Sequence, residues 1–408
     1  MQKRKRVLGA VIGTMLGLSL LFSPNAELSP VYGADAPVAI DETNFPDAVF
    51  REYVKENFDK DGNDELSVSE MERVTTIYVT HKNVADLTGI EYFNNLENLD
   101  CGYNQLSNLD VSQNIALTQL ICANNQLSNL DVSQNAALET LDCSANQLSS
   151  LDVSRNIALT QLGCNYNQLS NLDVSQNIAL ETLSCHSNQL SNLDVSQNVA
   201  LYWFDCQNNQ LSNLDVSQNI ALTVFNCQNT QLSNLDVSQN TALRQLICSN
   251  NQLSSLDVSQ NTDLEDLECY NQEISLPHYQ VGSQCYIDLS PLHLDTGRVS
   301  LLSSGTYDSA TGHIEWLEFQ SFAETGGILT YQYDVGYQNQ TMEVTIISME
   351  VITSSPSTEV TEQDMSQSTN TTATGQDTPK TGDTMLPVWI AILGLFSTVS
   401  YLVARKKK

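Results

Sequence analysis

The chain has 408 residues, 16% of them charged, and a formal net charge of -31 at pH 7. So acidic a surface repels the phosphates of nucleic acid and of anionic membranes, which sets both aside as partners. The five histidines, His81, His186, His278, His293 and His313, are scattered, and no nucleophile elbow, phosphate loop or HExxH pattern occurs, so the sequence reads as a non-enzyme. The chain opens on Lys3, Arg4, Lys5 and Arg6, followed by an apolar run from Val7 to Phe22 and small residues near Val31, Tyr32 and Gly33. That order predicts a secretory signal peptide over residues 1–33.

Residues 38–73 form a separate unit. Asn44 to Phe58 is predicted as an amphipathic helix, with Phe45, Val49, Tyr53 and Phe58 on its apolar face. Asp59 to Glu70 then reads DKDGNDELSVSE. This spacing fits an EF-hand loop, which wraps six to eight oxygens around one Ca²⁺. Asp59, Asp61 and Asn63 take the first three ligand positions. Glu65 offers its backbone carbonyl, Ser67 a contact through water, and Glu70 both carboxylate oxygens. Asp64 stands where such loops carry Gly, which predicts a strained left-handed residue there. With no second such loop, the unit is expected to cap the repeats C-terminal to it.

Residues 74–277 are repetitive. Cys101, Cys122, Cys143, Cys164, Cys185, Cys206, Cys227, Cys248 and Cys269 recur at a constant 21-residue step, each inside the phrase LxxLxCxxNxLxxLDVSxNxA. A weaker copy precedes them, with Val74, Ile77, Val79, Val84 and Leu87 in the apolar slots. Alternate apolar positions such as Leu99 and Cys101 predict one short strand per unit. One such strand cannot bury its face alone, but stacked neighbours at ~4.8 Å can. Asn104 and its equivalents Asn125, Asn146, Asn167, Asn188, Asn209 and Asn251 are expected to turn inward and bond backbone groups. Thr230 and Gln272 interrupt that ladder and predict looser turns. Asp110 and its copies are expected to cap the VSQN bend with a carboxylate oxygen. The cysteines show no metal spacing. Stacked equivalent positions also give parallel Cβ vectors, which suit disulfides poorly, so buried free thiols are expected; Cys285 lies outside the ladder. The repeated phrase resembles the bacterial leucine-rich repeat, in the cysteine-containing variety of the internalins. The fold expected is therefore a leucine-rich-repeat solenoid with parallel β on the concave face. A small helical EF-hand-like cap precedes it and a β-rich module succeeds it.

Residues 278–352 alternate polar and apolar residues in GILTYQYDVGY and TMEVTIISMEV, which predicts strands; the module resembles the Ig-like or strand-rich caps found C-terminal to such repeats. Residues 353–377 are a Ser/Thr-rich linker. Thr378, Pro379, Lys380, Thr381 and Gly382 then precede an apolar span at 385–404 and the basic tail Arg405 to Lys408. The order of motif, span and positive tail resembles a sortase signal, with Thr378 in place of the usual Leu. It implies cleavage after Thr381, transfer to peptidoglycan, and an extracellular position for the rest of the chain.

Within the repeats, LSNLDVSQN hardly changes while the outward strand positions do. Trp203, with Tyr202, Tyr166, Val224 and Ile247, places aromatic and apolar side chains among polar ones. Exposed aromatics of that kind anchor protein or glycan ligands. The whole reads as a wall-anchored, Ca²⁺-stabilised adhesin resembling the internalins. The alternative is a structural stalk or coat without a specific ligand.

Overall fold

The computed structural model describes residues 36–281, 284–301, 305–308, 310, 312–316 and 328–352. The expected signal peptide, linker, sorting motif and membrane span fall outside these residues. Among the described residues no helix is long and apolar enough to cross a membrane.

The N-terminal unit holds β1 (Val38–Ala39), α1 (Ala48–Phe58), β2 (Glu65–Leu66) and the single-turn α2 (Val68–Met71). α1 starts later than the periodicity suggests. Pro46 disfavours helical backbone at Phe45, and Asp47 caps the helix by accepting the Val49 and Phe50 N–H groups at 2.8 and 2.9 Å, which sets the start there. Its buried face is Phe50 and Val54, whereas Val49 is exposed, because Phe45 sits ahead of the helix and does not share its phase. The unit caps the repeats. Phe58 and Phe93 pack with ring centroids 5.3 Å apart, and the Tyr53 hydroxyl accepts the Tyr78 N–H at 3.1 Å, across the start of the solenoid.

The solenoid strands are β3 (Thr76–Tyr78), β4 (Asn98–Asp100), β5 (Gln119–Ile121), β6 (Thr140–Asp142), β7 (Gln161–Gly163), β8 (Thr182–Ser184), β9 (Trp203–Asp205), β10 (Val224–Asn226), β11 (Gln245–Ile247) and β12 (Asp266–Glu268). They form one parallel ten-stranded sheet in chain order. The degenerate leading copy supplies β3, with its five apolar residues buried. Each central strand residue is buried, as are all nine ladder cysteines. Fully burying a leucine or phenylalanine contributes roughly 1.5–3 kcal/mol, and the repeated Leu, Val and Cys slots form one continuous core.

The asparagine ladder turns inward as expected. Asn188 Nδ2 donates to the carbonyls of Cys164 and Cys185, both at 3.0 Å, and its Oδ1 accepts the Leu169 N–H at 3.0 Å. Gln272 does not loosen its turn. Its Nε2 reaches Cys248 O at 3.0 Å and its Oε1 accepts Leu253 N–H at 3.0 Å, the same bonds made one methylene further out. Thr230 does depart. Its hydroxyl has one proton to share between Cys227 O at 2.7 Å and Asn251 Oδ1 at 3.0 Å, and Gln231 is pushed to φ 72 beside the usual left-handed Asn229. A second buried ladder was not anticipated from the sequence. Asn135 donates to Val111 O and Asn114 O of the preceding unit at 3.0 and 2.9 Å, and the bonds recur through Asn261. The unbroken Asn of VSxN was its signal.

β13 (Gln272–Val281), β14 (Gln284–Asp288), β15 (Val299–Leu301), β16 (Thr306–Asp308), β17 (His313–Trp316), β18 (Ile328–Asp334) and β19 (Thr341–Ile352) form the C-terminal module. Its order is β15-β18-β19-β13-β14-β17-β16, with β13 and β19 parallel and the other pairs antiparallel. The described strands thus join in one mixed sheet rather than the two antiparallel layers of an Ig-like sandwich. β13 begins at Gln272, inside the span read as solenoid, because that residue closes the last ladder turn while its backbone enters the new sheet. The module covers the end of the core: the Tyr331 and Tyr337 hydroxyls donate to Ser254 O and Leu264 O at 2.6 and 3.0 Å, and Arg298 pairs with Asp257 at 3.1 Å.

Candidate functional site

Parallel register aligns the outward strand residues into rows. One row runs Asn98, Gln119, Thr140, Gln161, Thr182, Trp203, Val224, Gln245 and Asp266. The next holds Ile121, Asp142, Gly163, Ser184, Asp205, Asn226 and Ile247. Between Ile121 and Trp203 these rows line a shallow groove of ≈ 360 Å³. Its floor is set by Gly163, where a Cβ would meet Asp142 Oδ1 at 3.0 Å and Ser144 Oγ at 3.2 Å. Asn165 Oδ1 accepts the Ser144 and Ser184 hydroxyls at 2.6 and 3.1 Å and so ties three adjacent turns together.

Of the five residues read as ligand contacts, Trp203 lines this groove and is half-buried rather than fully exposed, because its strand neighbours flank it. Val224 lies beside it in the same row, also half-buried. Ile247 belongs to the next row, two strands further along. Tyr166 is exposed in the turn after β7, its ring edge-on to His186 at 4.8 Å, and Tyr202 is exposed just before β9. Sequence alone missed the groove, since Gly163 has no side chain to attract notice. Asp205 stands in the outward row, as its strand position predicts, but it is buried, and desolvation pushes its carboxyl above the usual range.

The outer bend carries a second feature. Asp110 and its copies each accept the N–H two residues on, as in Asp131 with Ser133 at 2.9 Å. Those bonds hold the Asp131 carboxyl below its ordinary range.

The acidic loop places oxygens of Asp59, Asp61 and Glu70 within 4.8 Å of one another, with Asp59 and Glu70 buried. Asp59 accepts N–H groups from Gly62 and Asp64 at 2.8 and 3.0 Å, and Asp64 is left-handed at φ 61. Glu70 accepts Lys60 N–H at 2.7 Å and Ser67 N–H at 2.9 Å. The first of these bonds is the main reason its carboxyl lies below the usual range. Asn63 Oδ1 accepts Glu65 N–H at 2.8 Å, the Glu65 side chain is exposed, and Ser67 caps α2. The three clustered carboxylates are hard oxygen donors of the kind that hold Ca²⁺. The sorting residues Thr378 to Gly382 lie outside the described residues.

No protein-family model matches the chain. It is similar to Internalin J of Listeria monocytogenes serotype 4b (strain F2365), 40% identical over 70 residues, which is 17% of this chain and 8% of that protein. The chain therefore matches only a small part of that relative's length. Its fold is similar to the crystal structure of an internalin (inlF) from the same strain, at 23% identity and TM-score 0.50, covering 59% of this chain and 80% of that one. The functional domain of InlJ from Listeria monocytogenes, described as including a cysteine ladder, aligns over 77% of this chain and 99% of that domain at 25% identity and TM-score 0.36.

Proposed function

We propose that this chain is a wall-anchored adhesin of the internalin type that binds a protein or glycan on another surface through its concave face. One observation carries the reading. The core slots repeat almost unchanged, while the outward rows vary freely and gather Trp203 and Val224 side by side next to a groove. Partial exposure of a large apolar side chain leaves burial that a ligand completes, at most about 1.5–3 kcal/mol. A Trp203→Ala, Val224→Ala double variant is therefore expected to weaken adhesion to target cells about tenfold while its melting temperature stays within a few degrees. Undiminished adhesion would favour the stalk or coat reading, and unfolding would show that Trp203 serves the core.

In this reading the acidic loop holds Ca²⁺ through Asp59, Asp61, Asn63 and Glu70, with the Glu65 carbonyl and Ser67 completing the shell. A native-state ligand raises stability by mass action, about 2.7 kcal/mol at a hundred times its Kd. Calcium at millimolar concentration is expected to raise the melting temperature of the chain, and Glu70→Ala to abolish the rise. Equal melting curves for the two proteins with and without Ca²⁺ would leave the loop a solvated acidic turn.

The C-terminal signal would join Thr381 to peptidoglycan after a sortase cuts the Thr381–Gly382 bond. Boiling detergent is then expected to leave the mature protein on the wall and muralytic digestion to release it, with Thr381→Ala shifting it to the membrane or the medium. Complete release by detergent from wild-type walls would remove the covalent attachment.

A further inference from the structure

Resting on the binding role proposed above, we infer that the concave groove takes a neutral glycan, a linear chain of about three to four sugar residues lying across β5 to β9. Length comes first. Ile121 and Trp203 stand four strand intervals apart at the two ends of the groove. At ~4.8 Å per interval this is roughly 19 Å, a tract suited to a short oligosaccharide.

Chemistry narrows the class. Between the ends the groove presents amides and hydroxyls: Gln119, Thr140, Gln161, Asn165, Thr182 and Ser184. These groups donate and accept, as sugar hydroxyls do. Asn165 spends its oxygen on Ser144 and Ser184, which leaves its Nδ2 protons for an acceptor above the floor. Gly163 keeps that floor low enough for a ring to approach the backbone. Trp203 supplies an aromatic surface at one end, suited to the apolar face of a pyranose.

Charge excludes the acidic glycans. Asp142 is the one acidic side chain lining the groove, no Lys or Arg lines it, and Asp205 lies in the same row on β9, the strand that ends the groove. On a chain of net charge -31, a sialylated or sulfated ligand meets repulsion without a compensating cation. A protein partner is less favoured, because protein interfaces are anchored by clusters of buried aromatic and Arg side chains, and this groove offers a single aromatic.

The test uses the purified full chain against immobilised neutral oligosaccharides of two to six hexose or N-acetylhexosamine residues, beside their sialylated and sulfated counterparts. Saturable binding of one or more neutral chains is expected, strengthening up to about four residues and weakened at least tenfold by sialylation. Gln161→Ala, which leaves the core untouched, should weaken it severalfold, and Gly163→Val, which raises the floor, should abolish it. Thermal melts identify any variant that fails to fold, and Thr182→Ala then replaces it. Failure on every neutral chain overturns the glycan assignment. If adhesion to target cells then persists, is lost on protease treatment of those cells and survives their periodate oxidation, the ligand is a protein and the binding face stands. If adhesion is also absent, the binding role falls with it.

Discussion

Between pH 8 and pH 10 the folded chain is expected to lose stability along one of the steepest slopes its composition allows. The cause is the ladder of nine buried thiols. Burial pushes every one of them above the ordinary thiol range, Cys269 to about 11. In the unfolded chain a thiol ionises near pH 8.5. The native thiols keep their protons there while the unfolded ones release theirs. Their contribution is thus fully present below about pH 8.5 and is lost as pH rises toward the folded values. Once the unfolded thiols are ionised, each contributes about 1.4 kcal/mol of loss per pH unit, so nine acting together give on the order of 10 kcal/mol per unit. That is comparable with the whole stability of an ordinary domain. Denaturant midpoints measured with reductant from pH 7.5 to 9.5 should fall steeply, and Cys164→Ala, Cys185→Ala, Cys206→Ala together should remove about a third of the slope. A flat profile would mean that the thiols are ionised, bridged or exposed. Alkylation separates these cases: native chains should resist it, and chains unfolded without reductant should react at every ladder position.

The sequence pattern carried the solenoid because its period is a physical necessity. A three-residue strand with a buried centre gains little alone, so each unit must be stacked on a near copy, and 21-residue spacing is visible in the cysteines without any structure. The inner asparagines were legible for the same reason. Elements fixed by a single residue's neighbours were not. α1 starts where Asp47 finds two free N–H groups, and Gln272 keeps its turn because one more methylene still reaches the same carbonyls. The groove was invisible because it is the absence of a side chain at Gly163 that opens it, and absence has no periodic signature. Register then decides which exposed residues meet: it sets Trp203 beside Val224 but leaves Tyr166 on a turn and Tyr202 at the edge.

The two buried asparagine ladders are expected to differ in worth, although the side-chain amide of each donates to buried backbone carbonyls. Asn188→Ala should cost about 1–3 kcal/mol more than Asn177→Ala, since each buried group left unpaired costs about 1–3 kcal/mol. The difference lies in what each deletion strands. Asn188 Oδ1 is the acceptor for the Leu169 N–H, at 3.0 Å, inside the core. Removing it leaves a buried N–H with nothing to donate to, while the Cys164 and Cys185 carbonyls lose the bonds from Nδ2 but keep those from Asn167 and Asn209, both at 3.1 Å. Orphaned N–H groups are the rarest defect in native proteins, whereas a carbonyl that loses one of two partners is tolerated. Asn177 belongs to the second case. It donates to Val153 O and Asn156 O at 3.0 and 2.9 Å, but those oxygens also accept the Asn156 and Leu159 N–H groups at 3.0 and 3.1 Å. Its own Oδ1 is buried with no protein partner, so deleting the side chain removes one unpaired acceptor as it releases two donors. Equilibrium unfolding of the two variants measures the gap, and hydrogen exchange at Leu169 locates it. That amide should lose protection in Asn188→Ala and keep it in Asn177→Ala. Equal destabilisation, with the Leu169 amide equally protected in both, would show that the ladders act through packing alone.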